Sequence, residues 1–398
     1  MSSEKWIHKK LGEVCTIHGR IGFRGYTTDD LVEKGYGAIT FSPSDIHDSK
    51  LCYDNCDYIS WFKYEESPEI KVFNGDILFC KTASIGKCAI VENLKEKATI
   101  NPQFVVLKDF TCDSKYLYYK LISYDFQTHV LGITGGSTIK TMSQEKLGLE
   151  PISFPALPDG SPDIAAQRRI AAILSSADKV IASTQKVIAK YKQMKQGLMD
   201  DLLKPKEGWK KVRLGEVGKI SMCKRVFSFE TSTEGEIPFY KIGTFGKTAD
   251  AFISRQLFEE YKSKFSYPKV GDILISASGT IGRTVVFDGE PAYFQDSNII
   301  WIDNDEQIVL NQFLYYLYQT ITWNLEGSTI ARLYNDNFNK IEISVPYKND
   351  KPNLAEQRRI ASILSGIDAK IAAEEKVLEK YGKIKKGLME RLLNEKNE

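Results

Sequence analysis

Along two stretches of the chain, residues 162–203 and 352–393, apolar side chains recur at spacings of three and four, and both stretches predict long helices. The first stripe runs Ile170, Ile173, Leu174, Ala177, Ile181, Ile188, Tyr191, Met194, Leu198, Leu202; the second runs Ile360, Ile363, Leu364, Ile367, Ile371, Leu378, Tyr381, Ile384, Leu388, Leu392. Each stretch follows a proline, Asp163 and Asn353 stand where an N-cap is needed, and "NLAE" fits a capping box. No proline interrupts either. At about 1.5 Å per residue each helix runs roughly 60 Å, too long to be wrapped by a domain of this size. So long an exposed stripe needs a partner, and the simplest partner is the other helix.

Outside these stretches, short apolar runs such as "DILFC", "FVVL", "DILIS" and "NIIWI" alternate with Gly, Pro, Asn and Asp, and predict strands joined by irregular loops. Helical patterns, "KYLYYKLIS" and "NQFLYYLYQTIT", stand in equivalent places. The expected fold class is α+β. Two mixed α/β globular parts, 1–157 and 205–347, alternate with two spacer helices, 158–204 and 348–398, that pair as an antiparallel coiled coil.

The pattern is written twice. "AAQRRIAAILSSADKVI", Ala165 to Ile181, returns as "AEQRRIASILSGIDAKI", Ala355 to Ile371. "WIHKKLGEV" at Trp6 returns as "WKKVRLGEV" at Trp209, and "GDILFCKTASIGK" at Gly75 returns as "GDILISASGTIGR" at Gly271. "GGSTIKTMSQEKLGLEPISFP", ending at Pro155, returns as "EGSTIARLYNDNFNKIEISVP", ending at Pro346. Matches in the same order and nearly the same spacing make each half one structural unit, with a pseudo-twofold relation inside one chain. If the helices pair antiparallel, the first carries the chain away from one globular part and the second returns it. That is the single-chain analogue of a symmetric dimer, which on DNA reads two half-sites at a set spacing, on the order of 10 bp centre to centre.

These repeats closely resemble the specificity (S) subunit of Type I restriction-modification systems. The resemblance rests on the two "GSTI…IS(F/V)P…QRRIA(A/S)IL…D" junctions, the twin "GDIL…IG(K/R)" stretches and the paired "W…LGEV" starts, and it covers essentially the whole chain. It implies two target recognition domains that each read one half of a split site in double-stranded DNA, with paired helices that set the gap and dock two modification (methyltransferase) subunits. Restriction subunits join that core. The resemblance implies no cofactor in this chain, with S-adenosylmethionine, and ATP with Mg, belonging to the partner subunits, to which base flipping and methyl transfer fall as well.

Composition alters this little. A net charge of +2, from 54 Lys and Arg against 52 acids, neither requires nor excludes nucleic acid but permits basic patches. The start "MSSEKWIHKKLGEV" lacks the apolar core of a secretion signal, and no apolar run reaches the roughly 18 residues of a membrane span, which points to a cytoplasmic protein. Seven cysteines without a CxxC pair read as buried thiols rather than disulfides or a zinc site.

A duplex reader needs side chains at base edges and others at phosphates. The loops offer Arg20, Arg24, Lys81, Ser84, Lys87, Ser137, Thr138 and Lys140 in the first half, and Lys224, Arg225, Ser278, Thr280, Arg283, Ser328, Thr329 and Arg332 in the second. A Lys or Arg in a polar loop is commonly just solvated, and "GST" is equally a turn that folding requires. Loops such as "RIGFRGYTTDD" and "CKRVFSFETST" share almost nothing while the framework around them repeats, so the predicted target is bipartite and non-palindromic.

Gln167, Arg168, Arg169 and their repeats Gln357, Arg358, Arg359 place cations at helix starts, where the helix dipole disfavours them. A partner protein, a phosphate or plain solvation answers that, and the resemblance favours the modification subunit. The Lys-rich ends "KYKQMKQGLMDDLL" and "KYGKIKKGLMERLL" suit the dipole and ask for no further role. "NPQF", Asn101 to Phe104, resembles the Asn-Pro-Pro-Phe type of motif of adenine methyltransferases but lacks its second proline, and its counterpart is "DSNI", Asp296 to Ile299. No glycine-rich strand-to-helix loop suits S-adenosylmethionine, and no GxxxxGK[ST] suits ATP. The chain therefore reads as a non-catalytic subunit. A protein-only coiled-coil adaptor and a stand-alone DNA methyltransferase are the alternatives.

Overall fold

The computed structural model of the chain describes residues 5–133, 141–323 and 335–395. The chain divides into two compact units, Met1–Gln185 with Lys376–Glu398, and Lys186–Glu375. Each unit thus joins one globular part to half of each long helix.

The same sheet is built in both units. In the first, strands Thr16–Gly19, Phe104–Lys108, Ile77–Cys80 and Cys88–Ile90 lie side by side in that order, all antiparallel, with Val105 opposite both Gly19 and Phe79. In the second the order is Gly218–Ser221, Ile299–Asn304, Ile273–Ser276, Thr284–Val286, again antiparallel. Both faces of these sheets are covered. Ile77 and Phe79 enter one cluster with Leu107 and Tyr116, whereas Leu78 and Cys80 enter another with Ile39 and Val106. A strand buried on both faces needs no polar alternation, which is why "DILFC" and "FVVL" read as unbroken apolar runs.

A second sheet in each unit, four-stranded in the first and three-stranded in the second, contains one parallel pair, Ala98–Ile100 with Gly37–Phe41 and Tyr293–Phe294 with Ile237–Tyr240. The starts of the globular parts close on their ends, Lys5–Lys10 with Pro151–Ala156 and Trp209–Arg213 with Glu342–Lys348. The repeated "LGEV" is a short helix after each first strand, and its leucines, Leu11 and Leu214, are fully buried.

The long helices span Ile164–Leu202 and Leu354–Leu392, 39 residues each. Asp163 Oδ1 accepts the Ala166 N–H at 2.8 Å, and Asn353 Oδ1 accepts the Glu356 N–H at 3.1 Å, so both expected N-caps form. The capping box at "NLAE" does not close. Glu356 instead accepts two bonds from Arg359 at 2.7 and 2.8 Å, and the Asn353 N–H donates to the Pro346 carbonyl at 2.8 Å. A forked guanidinium three residues on offers a carboxylate more than one neutral N–H does.

Within the second unit Lys192 meets Glu375 at 2.9 Å and Lys195 meets Asp368 at 2.8 Å, so advancing along one helix retreats along the other and the pairing is antiparallel. In the first unit Lys385 meets Asp178 at 2.7 Å, and Ala171 and Leu174 share a core with Leu388 and Met389. The apolar stripes are only partly used. Leu174 and Leu364 are fully buried, whereas Ile173, Met194 and Ile384 are 40–45% exposed. Among the described residues no helix is long and apolar enough to cross a membrane.

Candidate nucleic-acid interface

In each unit the loops at one end of the large sheet are laced together by equivalent bonds. The turn after Ile77–Cys80, residues 81–87, hydrogen-bonds the "NPQF" loop through the Lys81 N–H to the Gln103 carbonyl at 2.8 Å, and the Lys87 ammonium reaches the Pro43 carbonyl at 2.6 Å. In the second unit the turn 277–283 does the same. The Ala277 N–H donates to the Asn298 carbonyl at 2.8 Å, and Arg283 Nη1 donates to the Phe245 carbonyl at 2.9 Å. Lys87 and Arg283 are repeat-equivalent, so each carries a cation across from one loop to the next.

The glycines of "SIGK" and "TIGR" follow from this lacing. Gly86 and Gly282 adopt φ of +88° and +83°, and a Cβ there would come within 2.3 Å of the Gln127 side chain and 2.1 Å of the Trp323 ring. The repeat at these positions is a requirement of the turn.

In the first unit Arg20 is turned inward, contrary to its expected place at a base edge. It is 6% exposed, donates to the Ile100 carbonyl at 3.3 Å and to Thr99 Oγ1 at 3.4 Å, and lies 5.1 Å from the Tyr26 ring centre. Burial pulls its pKa below the ordinary arginine value. The Ile100 and Arg24 carbonyls and Thr99 offset part of the cost of taking the guanidinium out of water, and because the acceptors at Thr99 and Ile100 are distant in the chain, sequence does not distinguish it from an exposed loop arginine. Arg24 is half-exposed and stands 3.5 Å from Glu69. Lys81 is half-buried, while Ser84 and Lys87 are exposed.

In the second unit Lys224 and Arg225 are exposed, Lys224 lying 5.2 Å from the Phe265 ring centre and Arg225 donating to Asp296 at 2.8 Å. Thr280 is exposed. Ser278 is 8% exposed and donates to Asn298 Oδ1 at 2.7 Å, so its hydroxyl is spent inside the loop cluster. Arg283 is half-buried on its carbonyl. Ser137, Thr138, Lys140, Ser328, Thr329 and Arg332 lie outside the described residues.

"NPQF" is a turn. Asn101 is 8% exposed, its amide donates to Gln103 Oε1 at 3.0 Å, and Phe104 is fully buried in the sheet. Its counterpart supplies Asp296 and Asn298, which bond Arg225 and Ser278, and Gln295 just before it accepts the Ile242 N–H. These loop-organising residues were not among the candidates, although the shared position of the two loops in the repeat marks them.

The Gln-Arg-Arg triplets divide. Gln167 and Gln357 are fully buried, contrary to an expected role at a partner surface. Gln357 Oε1 accepts the Leu310 N–H at 2.8 Å and its amide donates to the Ile308 carbonyl at 2.9 Å. Gln167 Oε1 accepts the Asp113 N–H at 2.9 Å, while its Nε2 is buried without a hydrogen-bond partner. Each glutamine thus fastens a long helix to the loop before a globular-domain helix. Arg168, Arg169, Arg358 and Arg359 are exposed; Arg168 and Arg169 lie 3.9 Å from Asp113 and Asp163, and Arg359 is held by Glu356.

The Lys-rich helix ends also carry more than a dipole preference. Asp178 accepts the Tyr119 hydroxyl at 2.7 Å and the Lys385 ammonium at 2.7 Å. Asp368 accepts the Tyr316 hydroxyl at 2.8 Å and meets Lys195 at 2.8 Å. One clasp is thus formed twice, joining both long helices to a helix of each globular part.

All seven cysteines are free thiols; Cys15, Cys80, Cys88 and Cys223 are buried, and Cys52, Cys56 and Cys112 are partly so. Burial pushes the thiols of Cys15, Cys56, Cys112 and Cys223 up to about 12.

The family described as the Type I restriction modification DNA specificity domain matches residues 3–193 and 206–380. The chain is 46% identical over 262 residues to a protein assigned as a type I restriction enzyme specificity subunit in Haemophilus influenzae; the match spans 63% of this chain and 63% of that protein. It is 28% identical over 333 residues to a type I restriction enzyme specificity subunit of Methanocaldococcus jannaschii, covering 76% of this chain and 75% of that one. Among solved structures it shares its fold with the S subunit of a Type I restriction-modification system from M. genitalium, with a TM-score of 0.66 at 16% identity over 99% of this chain and 97% of that one. A chain from a type I R-M system studied for complex assembly aligns with a TM-score of 0.52 at 19% identity, over 98% and 97%. Two matched copies of the domain, one per half and each ending in a long helix, place this chain in the Type I restriction-modification DNA specificity family.

Proposed function

We propose that the chain is the non-catalytic DNA-reading subunit of a Type I restriction-modification complex, in which each laced loop cluster reads one half of an asymmetric bipartite site in double-stranded DNA. The observation that carries this reading is the pairing of a duplicated mount with unlike residues. The same lacing, through Lys81 and Lys87 in one unit and Ala277 and Arg283 in the other, stands beside loops that share almost nothing, "RIGFRGYTTDD" with Arg24 and "CKRVFSFETST" with Lys224 and Arg225. Readers that differ on one scaffold recognise different half-sites. Arg24, Lys224 and Arg225 are the cations best placed for base edges or phosphates, with Ser84, Lys87 and Thr280 at phosphates. Arg20 acts through the loop it holds.

The paired helices set the spacing and dock two modification subunits, which bring S-adenosylmethionine and, with restriction subunits, ATP and Mg. The docking surface is duplicated too. Val187 and Met194 on the first helix, and the repeat-equivalent Val377 and Ile384 on the second, are 37–44% exposed. Identical partners need equivalent apolar anchors, and these provide them together with Arg168, Arg169, Arg358 and Arg359.

Co-expression with a Type I modification subunit, followed by mapping of N6-methyladenine across the host genome by long-read sequencing, tests the reading. A split motif with two different halves is the expected result; a stable complex without any new methylated motif returns the chain to a protein-only adaptor. Four residues inserted into both helices, about 6 Å of added length, should widen the gap between half-sites by about two base pairs. An unchanged gap removes the ruler.

A further inference from the structure

In the second unit the loop that follows Gly218–Ser221 ends in a one-turn helix, Ser228–Glu230, and two phenyl rings stand on it. Phe227 and Phe229 are stacked, with ring centres 5.6 Å apart and planes 6° from parallel. Phe229 is 83% exposed and Phe227 49%. The turn is held by polar bonds that do not involve the rings. The Phe227 N–H donates to Glu230 Oε2 at 2.7 Å, the Glu230 N–H returns to the Phe227 carbonyl at 3.0 Å, and Tyr261 donates to Glu230 Oε1 at 3.0 Å. Thr231 donates to the Ser228 carbonyl at 2.8 Å. Lys224 and Arg225, both exposed, precede the rings in the same loop.

The first unit has the mount without the rings. There Thr28–Asp30 forms the same kind of turn, the Thr27 N–H donating to Asp30 Oδ2 at 2.9 Å, with Thr27 and Asp29 where the second unit has Phe227 and Phe229. Folding therefore does not demand aromatic residues at this turn. A solvent-facing pair of rings on a turn held by its own hydrogen bonds, in the same loop as an exposed Lys224 and an Arg225 that is paired with Asp296, is arranged to meet something apolar on a polyanion.

Resting on the DNA-reading function above, we propose that Phe229, braced by Phe227, is a specificity-determining contact of the second half-site that recognises a thymine C5-methyl group in the major groove. A phenyl ring has no donor or acceptor and cannot read a hydrogen-bond pattern; the apolar group that base edges present in the major groove is the thymine methyl. Lys224 and Arg225 hold the flanking phosphates and bring the rings to the groove.

The test uses the full chain assembled with its modification subunit and a duplex carrying the methylated motif found for the wild-type complex, so failure of the DNA-reading function shows first, as the lack of a motif. Each thymine of the second half-site is replaced in turn by deoxyuridine, which lacks only the methyl. Wild type should lose affinity about three- to fivefold at one position, the size expected for one buried methyl. The Phe229→Ala complex should bind more weakly than wild type and be indifferent to that replacement, with the first half-site unchanged. Truncating a side chain this exposed opens no cavity, and an unshifted thermal melt together with an unchanged first half-site establishes that the variant is folded. A second half-site without thymine, wild-type binding insensitive to every replacement, or equal sensitivity in wild type and Phe229→Ala each overturns the proposal.

Discussion

The Lys385 ammonium stands 2.7 Å from the Asp178 carboxylate, and the repeat-equivalent residues, the lysine 190 positions earlier and the aspartate 190 positions later, form the same pair, Lys195 standing 2.8 Å from Asp368. In one unit the first long helix supplies the acid and the second the base; in the other the roles exchange. A tyrosine from the adjoining globular part, Tyr119 or Tyr316, caps each carboxylate. The pseudo-twofold relation written in the sequence is thus expressed as one three-way joint made twice.

Removing one member of that joint leaves a partly buried charge without its partner. Asp178→Ala should lower the stability of its unit by about 2–3 kcal/mol, and Asp368→Ala, whose carboxylate is more exposed, by about 1 kcal/mol. Urea denaturation of the full chain measures both, and a double-mutant cycle with Lys385→Ala isolates the coupling. Coupling near zero would reduce the joint to a surface ion pair.

The two buried glutamines should differ although the sequence repeats them. Gln357 makes two bonds to the backbone, whereas the amide nitrogen of Gln167 makes none. Gln357→Leu leaves the Leu310 N–H and the Ile308 carbonyl unpaired and should cost about 2 kcal/mol; Gln167→Leu leaves one N–H unpaired and should cost about half as much. Thermal melts of the two variants rank them, and equal costs would contradict the unequal bonding.

Alkaline pH should destabilise the protein. Cys15, Cys56, Cys112 and Cys223 are raised from 9.0 to about 12, so between those values the unfolded chain releases protons that the folded chain keeps. The stability these four contribute is fully present below 9.0 and is lost as pH rises towards 12. Lys120, lowered to about 8 by burial beneath the Leu393 carbonyl, acts in the opposite sense up to 10.5, one group against four. Denaturation midpoints at pH 8 and pH 10.5 should therefore fall with pH. A disulfide-forming reagent at pH 8 should leave Cys88 and Cys223 untouched until the chain unfolds.

The equivalent exposed anchors on the long helices should be needed together. Met194→Glu and Ile384→Glu change side chains already 44% and 40% exposed, so stability should move by less than about 0.5 kcal/mol. Size-exclusion chromatography with the modification subunit should show one bound copy for each single variant and none for the double. Undiminished binding of two copies by the double variant would move the docking surface elsewhere.

Duplication, the two long helices, their N-caps and the equivalence of the two globular parts were legible in the sequence because each is a matter of period or local chemistry. A 3.6-residue stripe, a proline followed by Asp163 or Asn353, and motifs returning in order all act over a few residues. Parts of the repeated motifs serve the fold. "LGEV" fills a core, the glycines of "SIGK" and "TIGR" make room for Gln127 and Trp323, and "QRR" buries its glutamine.

Only tertiary structure decided which polar side chains face outward, because that depends on acceptors far away in the chain. Arg20 is consumed by the Ile100 carbonyl 80 residues on, Gln357 by a loop 47 residues back, and Asp178 by a lysine 207 residues ahead. The exposure of Phe227 and Phe229 is likewise a tertiary outcome: both rings stand in solvent on a turn held by Glu230, which also accepts the Tyr261 hydroxyl from 31 residues on. Period fixes where helices and strands form, since it needs only neighbours; exposure is settled by the competition of distant groups for the same buried space and the same hydrogen bonds.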